Sequence, residues 1–466
     1  MQKSLIERYK QEAVTTLTIG WPIVIGQLGL MAMAVTDTIQ VGGIPERGTA
    51  SVAAAGVANS LFFTIAVISL IALGVIAPMI SKADAEGEVG EVNHLFRAAL
   101  KAAVILSIAT MFLTFGSLFF LDKLGQEPEI VALTKPFAML MAVSGIPLFI
   151  FVAIRQLSDG LGKTRVAMVV TVSAVFLNVF LNWLLINGIG FLPRLELVGS
   201  GIATLISRIY MMAALWFSVK NDGYFSKYLK NSGGHLNELV KSLLKTGLPA
   251  GLQGFFEVAV FAGAVIIIGW RGKSEQAAHL IALNICSVTY MMASGIATAG
   301  GIRVGHFWGL KDKPQMRISG NTALGLAGTF MTVCGILLFV FNHWLVCLYT
   351  NEPDVIPITM TLLIIGGFFQ LWDGLQVTAL GILRGIADVN VPTLVTLFAY
   401  WIVGLPFGYF LSSKYDMKAS GVWYGLTLGL AVSAILLCWR FYSTLKTMRF
   451  EEENELIKET VSKGHS

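Results

Sequence analysis

Three carboxylates, Asp37, Glu257 and Asp373, lie in the middle of long apolar stretches of a chain that otherwise keeps its charges in short connecting segments. An acid near the centre of a bilayer costs about 2.5–3.5 kcal/mol on insertion scales, so each one in such a place points to a task. None of the three has a Lys or Arg one helical turn away, so local ion pairing does not account for them. Burial without a fixed cationic partner disfavours the bare carboxylate, which then takes a proton, binds Na⁺ or meets an organic cation. Cation or proton binding inside a membrane bundle is the chemistry to expect.

Other polar residues fall where they could share that work. Asn178 and Asn182 are spaced i, i+4, so both amides lie on one helix face and are placed to coordinate a cation or to bond Asp37 from a neighbouring helix. Gln27 and Thr204 are candidates for the same polar cluster. Around the other two acids stand Gln253, Phe256, Tyr290, Met291, Phe369 and Trp372, aromatic, amide and thioether groups suited to lining an adaptable pocket for flat hydrophobic cations. Pro22 and Pro249 sit inside the stretches that carry Asp37 and Glu257, where each removes a backbone hydrogen bond and permits a hinge.

The elements that must hold these residues are membrane helices. The chain has 466 residues, 55% of them hydrophobic and only 13% charged, with a mean hydropathy of +0.73, and apolar runs long enough to span a bilayer recur from end to end. Twelve spans are expected, at roughly 14–39, 52–80, 95–121, 131–154, 164–188, 198–218, 243–270, 277–303, 319–346, 356–381, 391–412 and 420–445. All are helix length and too long for membrane β-strands, so an all-α membrane protein follows. The polar segment Met1 to Ala13 leads into the first span with no small-residue cleavage site, which marks a retained helix rather than a signal peptide. Most of the 33 Lys and Arg fall at the N-terminus, in the even-numbered loops and in the tail, so both termini should be cytoplasmic.

That bias also explains the net charge of +5. The basic residues Lys220, Lys227, Lys230, Lys241 and Lys245 are dispersed and flank helices, a pattern of topology and anionic headgroups rather than of nucleic-acid binding. Cys286, Cys334, Cys347 and Cys438 show no metal-ligand spacing. Gly162-Lys163-Thr164 lacks the first glycine of a phosphate loop, because Leu157 stands there, and the six histidines show no paired zinc spacing. His279 and His306, at the two ends of the eighth span, are expected to be structural. An enzyme is not indicated, no cofactor is called for beyond Na⁺ or H⁺ as a coupling ion, and the chain is expected to work as a monomer.

The chain is also duplicated. Gly20, Pro22, Gly42 and Asn59 have counterparts in Gly247, Pro249, Gly269 and Asn284, and the segment Ile76 to Lys82 in Ile302 to Trp308; Pro22 to Gly42 and Pro249 to Gly269 have the same spacing. A repeat of six helices returns the chain to its starting side, so the halves share one orientation and are related by a pseudo-two-fold axis along the membrane normal. The expected organisation is an N-lobe over 1–218, a cytoplasmic linker loop over 219–242 containing Ser232, Gly233 and Gly234 and permitting relative rocking, a C-lobe over 243–445 and a cytoplasmic tail over 446–466.

Asp37-Thr38-Ile39, Leu177-Asn178-Val179-Phe180-Leu181-Asn182-Trp183, Gly247-Leu248-Pro249 with Phe255-Phe256-Glu257-Val258, Ile302-Arg303-Val304-Gly305-His306, Asp373 with Gln376-Val377, and Leu383-Arg384-Gly385 occur in order over residues 8 to 445. In combination they resemble the NorM branch of the multidrug and toxic compound extrusion (MATE) family. The resemblance implies a two-lobe secondary antiporter of the bacterial cytoplasmic membrane, expelling organic cations such as dyes and fluoroquinolone-like drugs in exchange for Na⁺ or H⁺. It implies an N-lobe cation site at Asp37, Asn178 and Asn182 and a C-lobe site at Glu257 and Asp373, with Na⁺ at Glu257 and Asp373 or at Asp37 and Asn178. Two departures stand out: Phe369 replaces a Tyr that many relatives carry four residues before the tenth-helix acid, removing an oxygen, and Leu280 follows His279 where relatives often show Gln. The alternative is a lipid-linked oligosaccharide flippase of similar architecture. Its pyrophosphate cargo would call for cations in the cleft, and on the expected boundaries only Lys101 and Arg208 lie clearly within spans.

Overall fold

The computed structural model describes residues 4–123, 125, 127–188, 193–230 and 236–448. Within them are twelve helices long and apolar enough to cross a membrane: α1 (Leu5–Gly42), α2 (Gly48–Ala85), α3 (Val89–Leu118), α4 (Pro128–Gly160), α5 (Thr164–Asn187), α6 (Glu196–Asn221), α7 (Leu236–Gly269), α8 (Lys273–Gly309), α9 (Lys313–Val340), α10 (Val355–Gly385), α11 (Asn390–Lys414) and α12 (Lys418–Thr447). Many run beyond the apolar cores by which they were recognised. Ser4 Oγ accepts from the Glu7 backbone N–H while a Glu7 carboxylate oxygen accepts from that of Ser4, a reciprocal cap that lets α1 begin at Leu5 instead of near residue 14. Gly188, in the left-handed region at φ 67°, closes α5.

Two spans are not uniform. The run from Gly48 breaks after Gly74 and restarts at Ile76, and α11 passes through a π-helical stretch, Phe398–Gly404, of the kind common at functional positions. By contrast, α1 and α7 continue without interruption through Pro22 and Pro249.

Helices α1–α6 pack around one large apolar core, to which the first half of α7 adds Val240, Leu243 and Ala250, and the rest of α7 with α8–α12 packs around two others, so the halves form two six-helix lobes. The expected linker loop is largely helical instead. Gly223–Leu229 forms a short helix whose Phe225 and Tyr228 are fully buried. Tyr228 donates its hydroxyl to Asp84, and Asn93 Nδ2 donates to the Tyr228 carbonyl at 2.5 Å. This segment is thus part of the N-lobe, docked by an apolar anchor and polar bonds, and only 231–235, which includes Ser232, Gly233 and Gly234, and the tail from 449 lie outside the described residues.

The lobes meet at one end. Because α1 and α7 start on the N-terminal face and α2 and α8 end there, the contacts between Gly251 and Ile68, Gly247 and Ala72, Gly295 and Val24, and Gly309 and Lys82 all lie toward that face. At Gly251 an added Cβ would stand 2.2 Å from the Ile68 carbonyl oxygen, so the backbones touch as only glycine allows. Ile19, Ile23, Ala77, Ala299 and Ile302 form an apolar plug between the lobes. Across the same face Arg303 donates two hydrogen bonds to Glu12, Nε to Oε1 at 2.8 Å and Nη2 to Oε2 at 2.7 Å. Asn321 Nδ2 donates to the Tyr9 hydroxyl at 3.1 Å. Farther along α1 the Ser294 hydroxyl donates to Gln27 Oε1 at 2.6 Å, and beyond that level no hydrogen bond joins the lobes among the described residues.

Candidate functional site

The N-lobe acid is held by two neighbouring helices. Asn182, fully buried on α5, donates Nδ2 to Asp37 Oδ1 and also to Asn178 Oδ1 at 3.2 Å. From α6, Thr204 donates its hydroxyl to Asp37 Oδ2 at 3.1 Å. The i, i+4 spacing on α5 is what lets one amide bridge the other amide and the acid, and Gly199 and Gly201, packed against Leu185 and Leu140, allow α6 to approach closely. Both carboxylate oxygens therefore accept a neutral donor, and no Lys or Arg pairs with Asp37 within ion-pair distance among the described residues. A carboxylate so placed can take up and release a cation without breaking a salt bridge. Arg208, one turn beyond Thr204, turns away to Ser144, donating Nη1 to its hydroxyl at 2.6 Å, and lies over the Phe62 ring at 5.3 Å.

Gln27 does not join that cluster. It lies ten residues earlier on α1, about 15 Å along the axis, where it bonds Ser294 and lines a cavity of about 310 Å³ between the lobes. The same cavity is walled by Glu257, Gln253, Tyr290 and Met291 from the C-lobe. Gln253 Nε2 donates to Glu257 Oε2 at 3.1 Å. Asp373 is buried on α10 near enough for its charge and that of Glu257 to act on each other, but it is not part of the cavity wall. Phe369 is buried against Phe261 and Trp423, ring centroids 6.2 and 5.5 Å away, and contributes packing only.

Two expected lining residues point elsewhere. Phe256 lies on the far side of α7 in an apolar groove with Leu394, Phe398 and Trp401, because a helix turns about 100° between adjacent residues and carries it away from Glu257. Trp372, likewise next to its acid, packs against the C-lobe apolar core. His279 is buried and accepts at Nδ1 from the Trp423 indole N–H at 3.0 Å, a structural contact in the C-lobe.

Several functional-looking groups were not singled out from sequence. Arg155 and Asp159 line the N-lobe wall of the cavity and pair with each other, Nε to Oδ2 at 3.1 Å; their i, i+4 spacing was the available signal. Arg384 lines the C-lobe wall and donates Nη2 to Gln253 Oε1 at 2.7 Å. It lies eleven residues after Asp373, about three helical turns and so on the same face. The cleft thus holds more cationic groups than the span boundaries suggested. The shortage of Arg and Lys no longer argues against an anionic cargo, although Asp159 and Glu257 balance Arg155 and Arg384 in the cavity.

The chain is similar in sequence and in fold to known proteins. The "Probable multidrug resistance protein NorM" of Rhodopseudomonas palustris is 34% identical over 445 residues, covering 93% of this chain and 92% of that protein. That of Halalkalibacterium halodurans is 32% identical over 440 residues, covering 93% and 95%. In fold, the chain superposes on the eukaryotic MATE transporter AtDTX14 with a TM-score of 0.85 at 18% identity, covering 97% of this chain and all of the other. The Vibrio cholerae MATE transporter VcmN in its bent form gives a TM-score of 0.83 at 16% identity, covering 95% and 98%. A family model described as MatE matches twice, over residues 22–184 and 249–410, once in each half. The chain belongs to the MatE family.

Proposed function

We propose that the protein is a secondary active multidrug exporter of the bacterial cytoplasmic membrane, moving organic cations such as dyes and fluoroquinolone-like drugs out of the cell in exchange for Na⁺ or H⁺. The observation that carries this reading is Asp37, held in the N-lobe by Asn182 and Thr204 and in ion-pair contact with no Lys or Arg among the described residues. Support comes from Glu257, which faces the cavity between the lobes, and from relatives named multidrug resistance proteins.

With the N-terminus in the cytoplasm, the closed face is the inner one and this conformation is outward-facing. In that state a cation from outside reaches a carboxylate, which weakens the hold on the organic cation and releases it; the lobes then open inward, the ion leaves and substrate binds. Each charge moved gains about 2.3 kcal/mol per 100 mV of membrane potential, added to the ion gradient. A lipid-linked oligosaccharide flippase fits less well, because Asp159 and Glu257 stand in the cavity against any pyrophosphate.

Cells expressing the protein should retain less ethidium and norfloxacin, and Asp37→Asn and Glu257→Gln should each abolish the difference. Efflux unchanged in both variants would overturn the assignment. Proteoliposomes given a Na⁺ gradient without a pH gradient, and then the reverse, identify the coupling ion.

A further inference from the structure

The cavity between the lobes carries charges of both signs in a fixed order. Arg384 Nη2 donates to Gln253 Oε1 at 2.7 Å, and Gln253 Nε2 donates to Glu257 Oε2 at 3.1 Å. One primary amide therefore holds a guanidinium and a carboxylate a set distance apart on a single wall. Gln253 and Glu257 are buried, and Arg384 takes part in no ion pair among the described residues. The helix bearing it has little freedom to move: added Cβ atoms at Gly381 and Gly385 would stand 2.3 and 2.5 Å from backbone oxygens of α8, at Ala297 and Gly301 respectively. On the opposite wall Arg155 and Asp159 pair directly, whereas Arg384 meets its balancing carboxylate, Glu257, only through the Gln253 amide.

We propose that this cavity selects zwitterionic substrates, with the cationic centre of the substrate on Glu257 and its carboxylate on the remaining N–H groups of Arg384. The inference deepens the export reading and rests on it. A guanidinium offers five N–H donors in a planar fork that matches a carboxylate in bidentate fashion, and a single one is engaged by Gln253. A plain monocation satisfies Glu257 but takes up the carboxylate that offsets Arg384 and brings a second positive charge beside it. A zwitterion of suitable spacing neutralises both groups and is favoured by the attraction and by the repulsion it avoids. Tyr290 and Met291 supply the flat and pliable surfaces that an aromatic scaffold needs.

The test compares norfloxacin, which carries a piperazinium and a carboxylate, with its ethyl ester, which keeps the ring system and the cation and loses the anion. Initial transport rates at low concentration are measured in proteoliposomes holding the full-length protein. The wild type is expected to prefer the acid by about tenfold or more, the value of a charge-assisted hydrogen-bonded contact. In Arg384→Gln the preference should fall to about one, and in Arg384→Lys, which keeps the charge without the fork, to an intermediate value. General damage to transport cancels in the ratio; if Arg384→Gln moves neither compound, equilibrium binding of both to the detergent-purified protein supplies the same ratio. A wild type indifferent to esterification, or an Arg384→Gln variant with the wild-type preference, overturns the proposal while leaving the export reading intact. A wild type that moves neither compound nor ethidium removes the export reading, and the proposal with it.

Discussion

Breaking the ion pair between Glu12 and Arg303 should open the N-terminal face. The pair is bidentate, at 2.8 and 2.7 Å, and its side chains are 6% and 16% exposed, so it lies almost out of water and joins the lobes directly. Removing one partner of such a pair strands the other, at about 3 kcal/mol. In a conformation with this face open, both groups reach water and the penalty vanishes. The ratio of closed to open forms should therefore fall by about two orders of magnitude. Thr298 lines the cavity immediately behind this contact. A Thr298→Cys reporter, in a background with Cys286, Cys334, Cys347 and Cys438 replaced by alanine, can be labelled with a membrane-impermeant thiol reagent applied from the side bearing the N-terminus. Labelling should be slow with the native pair, faster by one to two orders of magnitude in Glu12→Gln or Arg303→Gln, and slow again in the charge reversal Glu12→Arg with Arg303→Glu. Wild-type labelling rates in both single variants would refute the argument that this pair holds the face shut.

Gly251→Leu places side-chain atoms where the Ile68 carbonyl now lies, 2.2 Å from an added Cβ; this overpacking costs about 1–3 kcal/mol and should raise labelling at Thr298→Cys as well as lower the Tm. Asn182→Leu withdraws the donor shared by Asp37 and Asn178; at about 1.5–3 kcal/mol for a hydrogen bond to a charged group, ethidium export should slow by about tenfold or more. Tyr228→Phe removes the bond to Asp84 and should lower the Tm. Burial first, and then the bond to Asp84, push the Tyr228 hydroxyl above its ordinary value of 10.0. Its folded-state affinity for the proton exceeds that of the unfolded chain, so its contribution is complete below pH 10 and is lost as the pH rises beyond. A melting series should show a decline above pH 10 that Tyr228→Phe makes shallower.

What was legible in the residues is what helical periodicity controls. The twelve spans follow from hydropathy, and the meeting of Asn178 and Asn182 follows from a four-residue spacing. Thr204 reaches Asp37 from a helix that the lobe organisation already made a neighbour. Distance along a helix was harder to judge: Gln27 and Asp37 share α1, yet their separation puts one on the inter-lobe cavity and the other inside a lobe. Rotation about a helix was hidden as well, since Phe256 and Trp372 adjoin acids in sequence and face away from them in space. The charges at the ends of spans were the largest gap. Glu12 and Arg384 look like loop residues when boundaries are drawn by hydropathy, but α1 and α10 run past those boundaries and bring both residues into contact with other helices. Within the polar segment 219–242, Phe225 and Tyr228 are the two buried aromatic side chains that anchor Gly223–Leu229 against the N-lobe.

The positions along α1 bear on how the sites communicate. Asp37 is bonded inside the N-lobe and is not among the residues lining the cavity that Glu257 faces. On the proposed reading an ion on Asp37 and a substrate on Glu257 do not compete for one carboxylate, and exchange between them requires a mechanical link. Helix α1 is the most direct one available. It carries Glu12 at the latch, Gln27 at the cavity and Asp37 at the acid, the first and last about 37 Å apart. Its far half is tied to α5 through Asn182 and through Gln40 Nε2, which donates to the Val179 carbonyl at 3.3 Å; its near half is tied to the C-lobe through Arg303. Pro22 lies between the latch and the cavity residue and removes one backbone bond there, so the two halves need not move as one rod. On the proposed reading a cation at Asp37 competes with Asn182 and Thr204 for its oxygens, and the far half is loosened first. The near half follows only if Glu12 and Arg303 can part, which makes that ion pair the element against which the energy of ion binding has to act.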